Sequence, residues 1–395
     1  MSDATIPATV TPPARILMGP GPSDVPAEVL SALGRPTIGH LDPQFLTVLD
    51  QVRDMLRSVL GTRNEITVPM SGTGSSGMET CIVNLVQPGD RVLVGLNGVF
   101  GGRLAEVARR AGAEVTTVDG TWGRIMDVDA LRKAAAGQSY KLLCVVHAET
   151  STGVLQPLAP MRELADELGA LLLVDAVTSL GGLPVEMDQH GIDALYSGTQ
   201  KCLSCPPGLS PISLSPRASE VLDQRDRPVQ SWYLDLSLIS RYWGGERLYH
   251  HTAPINMLYA MHEALRLVLL EGPEARYARH RLNARALCAG LSAMGLKLPV
   301  PEAERLAPLT LVEIPEGVED PRVRAQLLAD YGLEIGGGLG DFKGRAWRIG
   351  LMGASSTRRH VTLCLSALAD ALGQQGFTPK GDALAAAAEV YAQAG

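Results

Sequence analysis

Three short segments carry residues whose types and spacing could do chemistry. The first is SGTGSSGME, Ser71 to Glu79, which directly follows a β-rich run and opens a helical pattern. Free backbone N–H groups at a helix start, beside the hydroxyls of Thr73, Ser75 and Ser76, favour an anion such as a phosphate. The segment also contains Gly72-x-Gly74-x-x-Gly77, which matches a dinucleotide fingerprint as a string. A dinucleotide site requires in addition an acidic residue about 20 positions on, at the end of the second strand. That strand ends at Leu96 and Asn97, and Asp90 sits in the turn before it. Taken alone, the segment also reads as a plain glycine-rich turn.

The second segment is LLLVDAVTSLGG, in which Asp175 ends a very apolar run. An ionised carboxylate at the carboxyl end of a buried strand is costly unless a cation or donor meets it, and that edge of an α/β sheet is where ligands bind. A helix-capping Asp is the alternative. The third segment, YSGTQK, places Lys201 in a Ser/Gly/Thr turn after a short strand. An isolated Lys there reads as a surface cation. The three in this order on one sheet meet what pyridoxal phosphate requires: an anion site, a carboxylate for the pyridine nitrogen and an amine for the Schiff base.

These residues need a scaffold, and the chain supplies one. Its 395 residues carry a formal charge of −7, with 46% hydrophobic and 19% charged residues, a composition that can bury a large core. No long Lys/Arg cluster offers nucleic acid or an anionic membrane a surface to hold, so neither is expected as a partner. Forty-two glycines against 4 Phe and 4 Trp suggest close approach of backbone to a small molecule. The six cysteines do not form a disulfide framework and read as thiols of a reducing cytoplasm. Cys202 and Cys205 form a lone C-x-x-C without a second ligand pair, so no metal is expected. The first residues, MSDATIPATVTPPAR, lack an apolar signal core, and no run is long enough to span a membrane. The C-terminal AQAG is no address signal.

Short β-rich runs at Glu65 to Met70, Arg91 to Leu96, Glu114 to Val118, Lys141 to His147, Ala170 to Val174 and Ala194 to Tyr196 alternate with helical stretches near 76–86, 102–111, 127–136 and 158–168. This predicts an α/β fold with a mainly parallel sheet, buried on both faces. Long helical periodicity follows from Ala253 to about Gly295, and short strands in LTLVEIP and RAWRIGL suggest a smaller C-terminal α+β domain. The expected organisation is an N-terminal arm over 1–25, a large domain over 26–275 and a small one over 276–395. The ending DALAAAAEVYAQ reads as a surface helix without chemistry.

The segments MGPGPS, SGTGS, PGDRVLVGLNGVFG, HAETSTGVLQP, LLLVDAVTSLGG, GIDALYSGTQKCLSCPPG, YHHTAP, GGGLG and RIGLMG occur in an order that resembles the class V, fold type I, pyridoxal-phosphate aminotransferases. The resemblance is to the alanine:glyoxylate and serine:pyruvate type. It implies a seven-stranded sheet in the large domain and a homodimer. It implies Lys201 as the Schiff-base lysine, Asp175 as partner of the pyridine nitrogen, Thr150 on the ring hydroxyl, and Val177 and Phe100 on the two ring faces. Thr73, Gly74, Ser75 and Gln200 would hold the phosphate, joined by Tyr249 and Thr252 from a second subunit. Arg348 would grip the substrate carboxylate through a two-pronged contact, and Gly21, in Gly19-Pro20-Gly21-Pro22, would line the wall for a small side chain. Phe100 stands where the animal relatives carry a Trp, and Ser75 where they carry a His.

The implied reaction is ping-pong amino transfer from alanine or serine to glyoxylate or pyruvate, with a preference for serine and glyoxylate as an alternative. A cysteine desulfurase or related lyase of the same fold would place a His before the Lys and a Cys on a mobile loop; here Gln200 precedes Lys201, and GGGLGDFKG has no Cys. An NAD-dependent dehydrogenase lacks its ribose acid. His250, His251 and His147 read as packing or structural residues, and Arg345 as a solvated charge.

Overall fold

A computed structural model describes residues 7–394. Of the segment expected to form the N-terminal arm, residues 1–6 lie outside the described residues, as does Gly395 of the C-terminal tetrapeptide.

The main sheet has seven strands: β1 (Thr67–Ser71), β2 (Arg91–Leu96), β3 (Glu114–Asp119), β4 (Leu142–Val146), β5 (Leu171–Asp175), β6 (Ala194–Tyr196) and β7 (Leu209–Leu214). Their order across the sheet is β1-β7-β6-β5-β4-β2-β3. All neighbours pair parallel except β7, which runs antiparallel to both β1 and β6. The central strands β4 and β5 are buried along their whole length. Their unbroken apolar sequences, LLCVV and LLLVD, fit a sheet covered by helices on both faces. One core gathers this sheet with Phe45, Leu49 and Leu56 of the helix Pro43–Leu60 and with Leu258, Met261 and Leu265 of the helix Ile255–Glu271, which packs against it.

Sequence patterning locates six of these strands and misses β7, whose LSPISL carries a proline and two serines. The structure shows how they are accommodated. Pro211 faces Pro69 across the β1–β7 pair. On the β6 side, Ser197 N–H donates to Pro211 O, and Ser210 Oγ donates to Ser197 O at 2.5 Å, the acceptor that an amide at 211 would otherwise reach. Ser213 Oγ is likewise engaged, 3.1 Å from Asn64 Nδ2 and 3.0 Å from Thr67 Oγ1. Buried polar groups are tolerated when paired in this way.

A second core forms from Leu287 and Leu291 on the helix Pro273–Ala293, Val361, Leu365 and Leu368 on the helix Arg358–Gly373, and Trp347 and Ile349. It contains a three-stranded antiparallel sheet of β8 (Leu309–Glu313), β9 (Gly336–Gly337) and β10 (Ala346–Gly350), with β10 in the middle. The N-terminal segment joins this core: Ile16–Leu17 pairs parallel with Leu333–Glu334, and Met18 is fully buried. The Ala-rich helix Ala383–Ala392 also contributes, burying Ala383 and Ala387 and donating from Tyr391 Oη to Asn283 Oδ1 at 2.7 Å. Among the described residues no helix is long and apolar enough to cross a membrane.

Candidate active site

The site residues converge because their loops all leave the same edge of the sheet. Ser71, Asp175 and Tyr196 end β1, β5 and β6, Phe100 and Thr150 follow β2 and β4 by a few residues, and Lys201 follows β6. In an open α/β sheet the crevice at the carboxyl ends of the strands is where ligands bind.

The helix α1 (Gly74–Leu85) starts directly after β1. Its N-cap, Thr73, is extended and makes no side-chain capping bond, so its hydroxyl and the amides of Gly74 and Ser75 remain for an anion, while the Ser76 amide donates to Thr73 O at 2.7 Å. Gly74 is constrained by closeness: a Cβ there would lie 3.2 Å from Val177 Cγ2 and 3.5 Å from Ser197 O. Beside this helix start, Oε1 of Gln200 is buried and has no hydrogen-bond partner among the described residues.

Asp175 is nearly fully buried. Its Oδ1 accepts from Val177 N at 2.9 Å and its Oδ2 from the Tyr196 hydroxyl at 2.7 Å. Burial pushes its pKa up to about 6, against the pull of these donors and of the Lys201 charge. A carboxylate so placed is stabilised by a cation. Lys201 is also buried, and its pKa is pulled down to about 8, first by desolvation and then by the Arg348 charge. Its ammonium donates to the carbonyl of Pro20. Gly21, with φ of 101°, lies against it: a Cβ there would sit 2.5 Å from Nζ, so a side chain at 21 would displace the amine itself. Ser23 holds the same loop, its amide donating to Gln200 O at 3.0 Å and its hydroxyl to Lys201 O at 2.8 Å.

Thr73, Gly74, Ser75, Phe100, Thr150, Asp175, Val177, Gln200 and Lys201 line one cavity of about 190 Å³. All nine are expected cofactor residues from the sequence. Arg348 lies beside it on β10, with Nε donating to Gly337 O at 2.8 Å and Nη1 to Thr150 O at 3.3 Å. Nη2 and the second Nη1 hydrogen remain for a carboxylate. Burial lowers its pKa to about 10, which leaves it charged at neutral pH. Tyr249 and Thr252 are not brought into this cavity. They are exposed, and Tyr249 Oη lies 3.3 Å from Thr252 Oγ1.

The cavity also contains residues to which sequence reasoning gave no role: Met78, Ala148, Arg103 and Tyr196. Arg103 lies over the Phe100 ring, 4.9 Å from its centroid. The one sequence signal for Arg103 is its place three residues after Phe100, on the same helix face. Tyr196 belongs to the quoted YSGTQK, but a tyrosine ending a buried strand reads as core. Three histidines have packing or hydrogen-bond partners outside the cavity lining: His147 Nδ1 lies 3.0 Å from Ser179 Oγ, His250 stacks on Trp232 with centroids 4.2 Å apart, and His251 Nε2 lies 2.9 Å from Ser71 Oγ. Burial holds His147 neutral, with its pKa near 4. Cys202 and Cys205 are buried thiols pushed up to about 12, and among the described residues no three His, Cys, Asp or Glu side chains cluster as a metal site.

Volume does not select this cavity, since one of about 520 Å³ lies under Arg281, Cys288 and Leu311. The chemistry does. An uncapped helix start, a carboxylate held above its ordinary pKa and an amine held below its own fit a phosphate, a protonated ring nitrogen and an aldehyde carbon. These are the functional parts of pyridoxal phosphate.

Comparison with known proteins agrees with that fit. The class V aminotransferase pattern matches residues 17–340. The chain is 39% identical over 402 residues to the (S)-ureidoglycine–glyoxylate transaminase of Bacillus subtilis, covering 97% of each protein. The crystal structure of that enzyme covers 98% of this chain and all of its own, with a TM-score of 0.95. The rabbit (Oryctolagus cuniculus) alanine–glyoxylate aminotransferase is 41% identical over 364 residues, 91% of this chain and 93% of that protein. A Nostoc alanine–glyoxylate aminotransferase structure shares 46% identity and a TM-score of 0.91, covering 93% of this chain and 97% of its own.

Proposed function

The chain belongs to the class V aminotransferases, and from that premise we propose that it transfers the amino group of a small amino acid, alanine or serine, to glyoxylate or pyruvate. It is an aminotransferase with pyridoxal 5'-phosphate as cofactor. The observation that carries the reading is the pairing of buried Asp175 and buried Lys201 across one cavity, each with its pKa moved towards the neutral range.

The bound cofactor supplies an electron-accepting ring and an aldehyde carbon that carries the amino group between donor and acceptor. The chain's residues do the rest. Thr73, Gly74, Ser75 and Gln200 would hold the phosphate at the start of α1. Asp175 would keep a proton on the ring nitrogen, and Tyr196 and Val177 N–H hold Asp175 in place. Val177 and Phe100 would cover the ring and exclude water, and Thr150 would donate to the ring hydroxyl. Arg348 takes the substrate carboxylate in a two-pronged grip, which turns the donor's Cα–H towards Lys201. Lys201 Nζ removes that proton and returns it, and its lowered pKa brings the free base within reach of neutral pH. Gly21 leaves room only for a small side chain beside the amine.

Glyoxylate as acceptor is supported by its presence in the names of all three relatives. A second donor, (S)-ureidoglycine, is favoured by the Bacillus subtilis enzyme, which matches this chain along nearly its whole length. The test is spectroscopic. With pyridoxal phosphate the protein is expected to be yellow, to bleach with the true donor and to recover colour with glyoxylate. A protein that stays colourless overturns the reading, and kcat/KM for alanine, serine and ureidoglycine ranks the donors. Alanine and serine differ by one hydroxyl, which a pocket separates by only about 1–3 kcal/mol.

We further propose a cytoplasmic homodimer. Tyr249 is 58% exposed and Thr252 is exposed beside it, away from this protomer's own cavity. In a dimer the two would reach the partner's phosphate. Sedimentation velocity of the active enzyme is expected to give a dimer, and a fully active monomer would contradict this assignment.

A further inference from the structure

Glu149 is fully buried, and the chemistry described above makes no use of it. A carboxylate so placed loses its water, and burial raises its pKa. Three donors meet it. Oε1 accepts from Ser151 N at 3.0 Å and from Ser151 Oγ at 2.5 Å, and Oε2 accepts from Phe100 N at 3.2 Å. Ser151 Oγ in turn accepts from Val99 N at 3.0 Å.

Val99 and Phe100 are the first two residues of the helix α2 (Val99–Arg110), whose N-cap is Gly98. Gly98 has no side chain to satisfy the free amides of that first turn. It cannot acquire one either, because a Cβ there would overlap the Glu149 carboxyl group. Glu149 and Ser151 therefore cap α2 from 50 residues away, and a negative charge at a helix N-terminus is favourable. A second site element adjoins this cap through the residue after Glu149. The Glu149 charge opposes the loss of a proton from buried Arg348, and Arg348 Nη1 donates to the carbonyl of the next residue, Thr150.

We propose that Glu149 is a positioning residue that locks the Phe100 ring and the Arg348 guanidinium into one frame, so that the cofactor face and the substrate carboxylate are held in fixed register. This rests on the roles given above to Phe100 and Arg348. Glu149 touches neither cofactor nor substrate and acts through these two residues.

Glu149→Gln is the test, because Gln keeps the shape and removes the charge. With either orientation of its amide, an NH₂ group points at a backbone N–H, of Phe100 or of Ser151, and one of the two links is lost. The expected result is a KM for the amino donor raised about 10-fold or more with kcat within about 3-fold of wild type. Independently of activity, titration of the apoprotein with pyridoxal phosphate is expected to show cofactor affinity weakened about 5-fold. A lower melting temperature with unchanged KM and cofactor affinity would make Glu149 a structural acid only and overturn the proposal. If the Gln variant does not fold, Ser151→Ala cuts the same linkage at the Val99 and Oε1 contacts. Unchanged KM and cofactor affinity in that variant likewise overturn it. Wild-type enzyme that neither binds cofactor nor turns over alanine with glyoxylate removes the parent reading instead.

Discussion

Lys201→Ala is expected to bind pyridoxal phosphate and to lose turnover by at least about 10⁴-fold, the upper range for a positioned acid–base group. Two properties of Lys201 are at stake. It is the nucleophilic amine of the cavity, and it is the base that faces the substrate's Cα. The fall of its pKa to about 8 has a physical origin that the variant removes: a buried ammonium next to the Arg348 charge. Among the described residues lining the cavity there is no other amine and no imidazole, and His147 is engaged with Ser179 outside that lining. Cofactor retention is expected because the phosphate contacts come from α1 and Gln200 and the ring contacts from Asp175 and Val177. Single-turnover kinetics with alanine, together with cofactor retained on dialysis, measure both halves. Turnover near wild type would sink the assignment of Lys201.

The second large effect has opposite signs in activity and in stability. Asp175→Asn is expected to lower kcat on the order of 10³-fold, the scale for removing one preorganised electrostatic partner. The same change is expected to stabilise the apoprotein. Asp175 has a folded pKa near 6 and an ordinary value of 3.8. Between those values the folded state binds more protons, so stability falls as pH rises through the window and stays lowered above it. The shift of about two units corresponds to at most about 3 kcal/mol at neutral pH. Asn carries no charge and keeps both hydrogen bonds, with Oδ1 accepting from Val177 N–H and Nδ2 donating to the Tyr196 oxygen. Denaturant melts of the two apoproteins should therefore diverge above about pH 6 and converge below about pH 4. An apoprotein destabilised at pH 7 by this substitution would count against the buried charge as the reason.

Both effects concern residues that could be read from the chain, and this follows from how the fold is written. Asp175 ends an apolar run and Lys201 lies in the Ser/Gly/Thr turn that follows one, where local pattern and chemistry coincide. Residues whose role depends on distant partners leave no such mark. The helix α2 illustrates this: patterning starts it near 102, past the glycines Gly98 and Gly101. The helix begins at Val99, since Glu149 supplies the cap from another strand end. Strand β7 escaped for a related reason. Its proline and serines interrupt the apolar pattern of a strand, and the partners that accommodate them, Ser197, Asn64 and Thr67, lie elsewhere in the chain. Tyr196 and Arg103 were overlooked because a strand tyrosine and a helix arginine have ordinary explanations that only the cavity displaces.

The antiparallel course of β7 also sets a timetable for the nascent chain. In the sheet β1 lies at the edge, and its one neighbour is β7, with Ser71 opposite Leu209. The phosphate loop after β1 thus waits for a strand that leaves the ribosome about 138 residues later, roughly 7–30 s at ordinary elongation rates. Lys201 emerges just before that strand. Pairing of β7 therefore brings the anion site and the amine together in one event, and chains that end short of it carry every catalytic side chain of the large sheet without an assembled site.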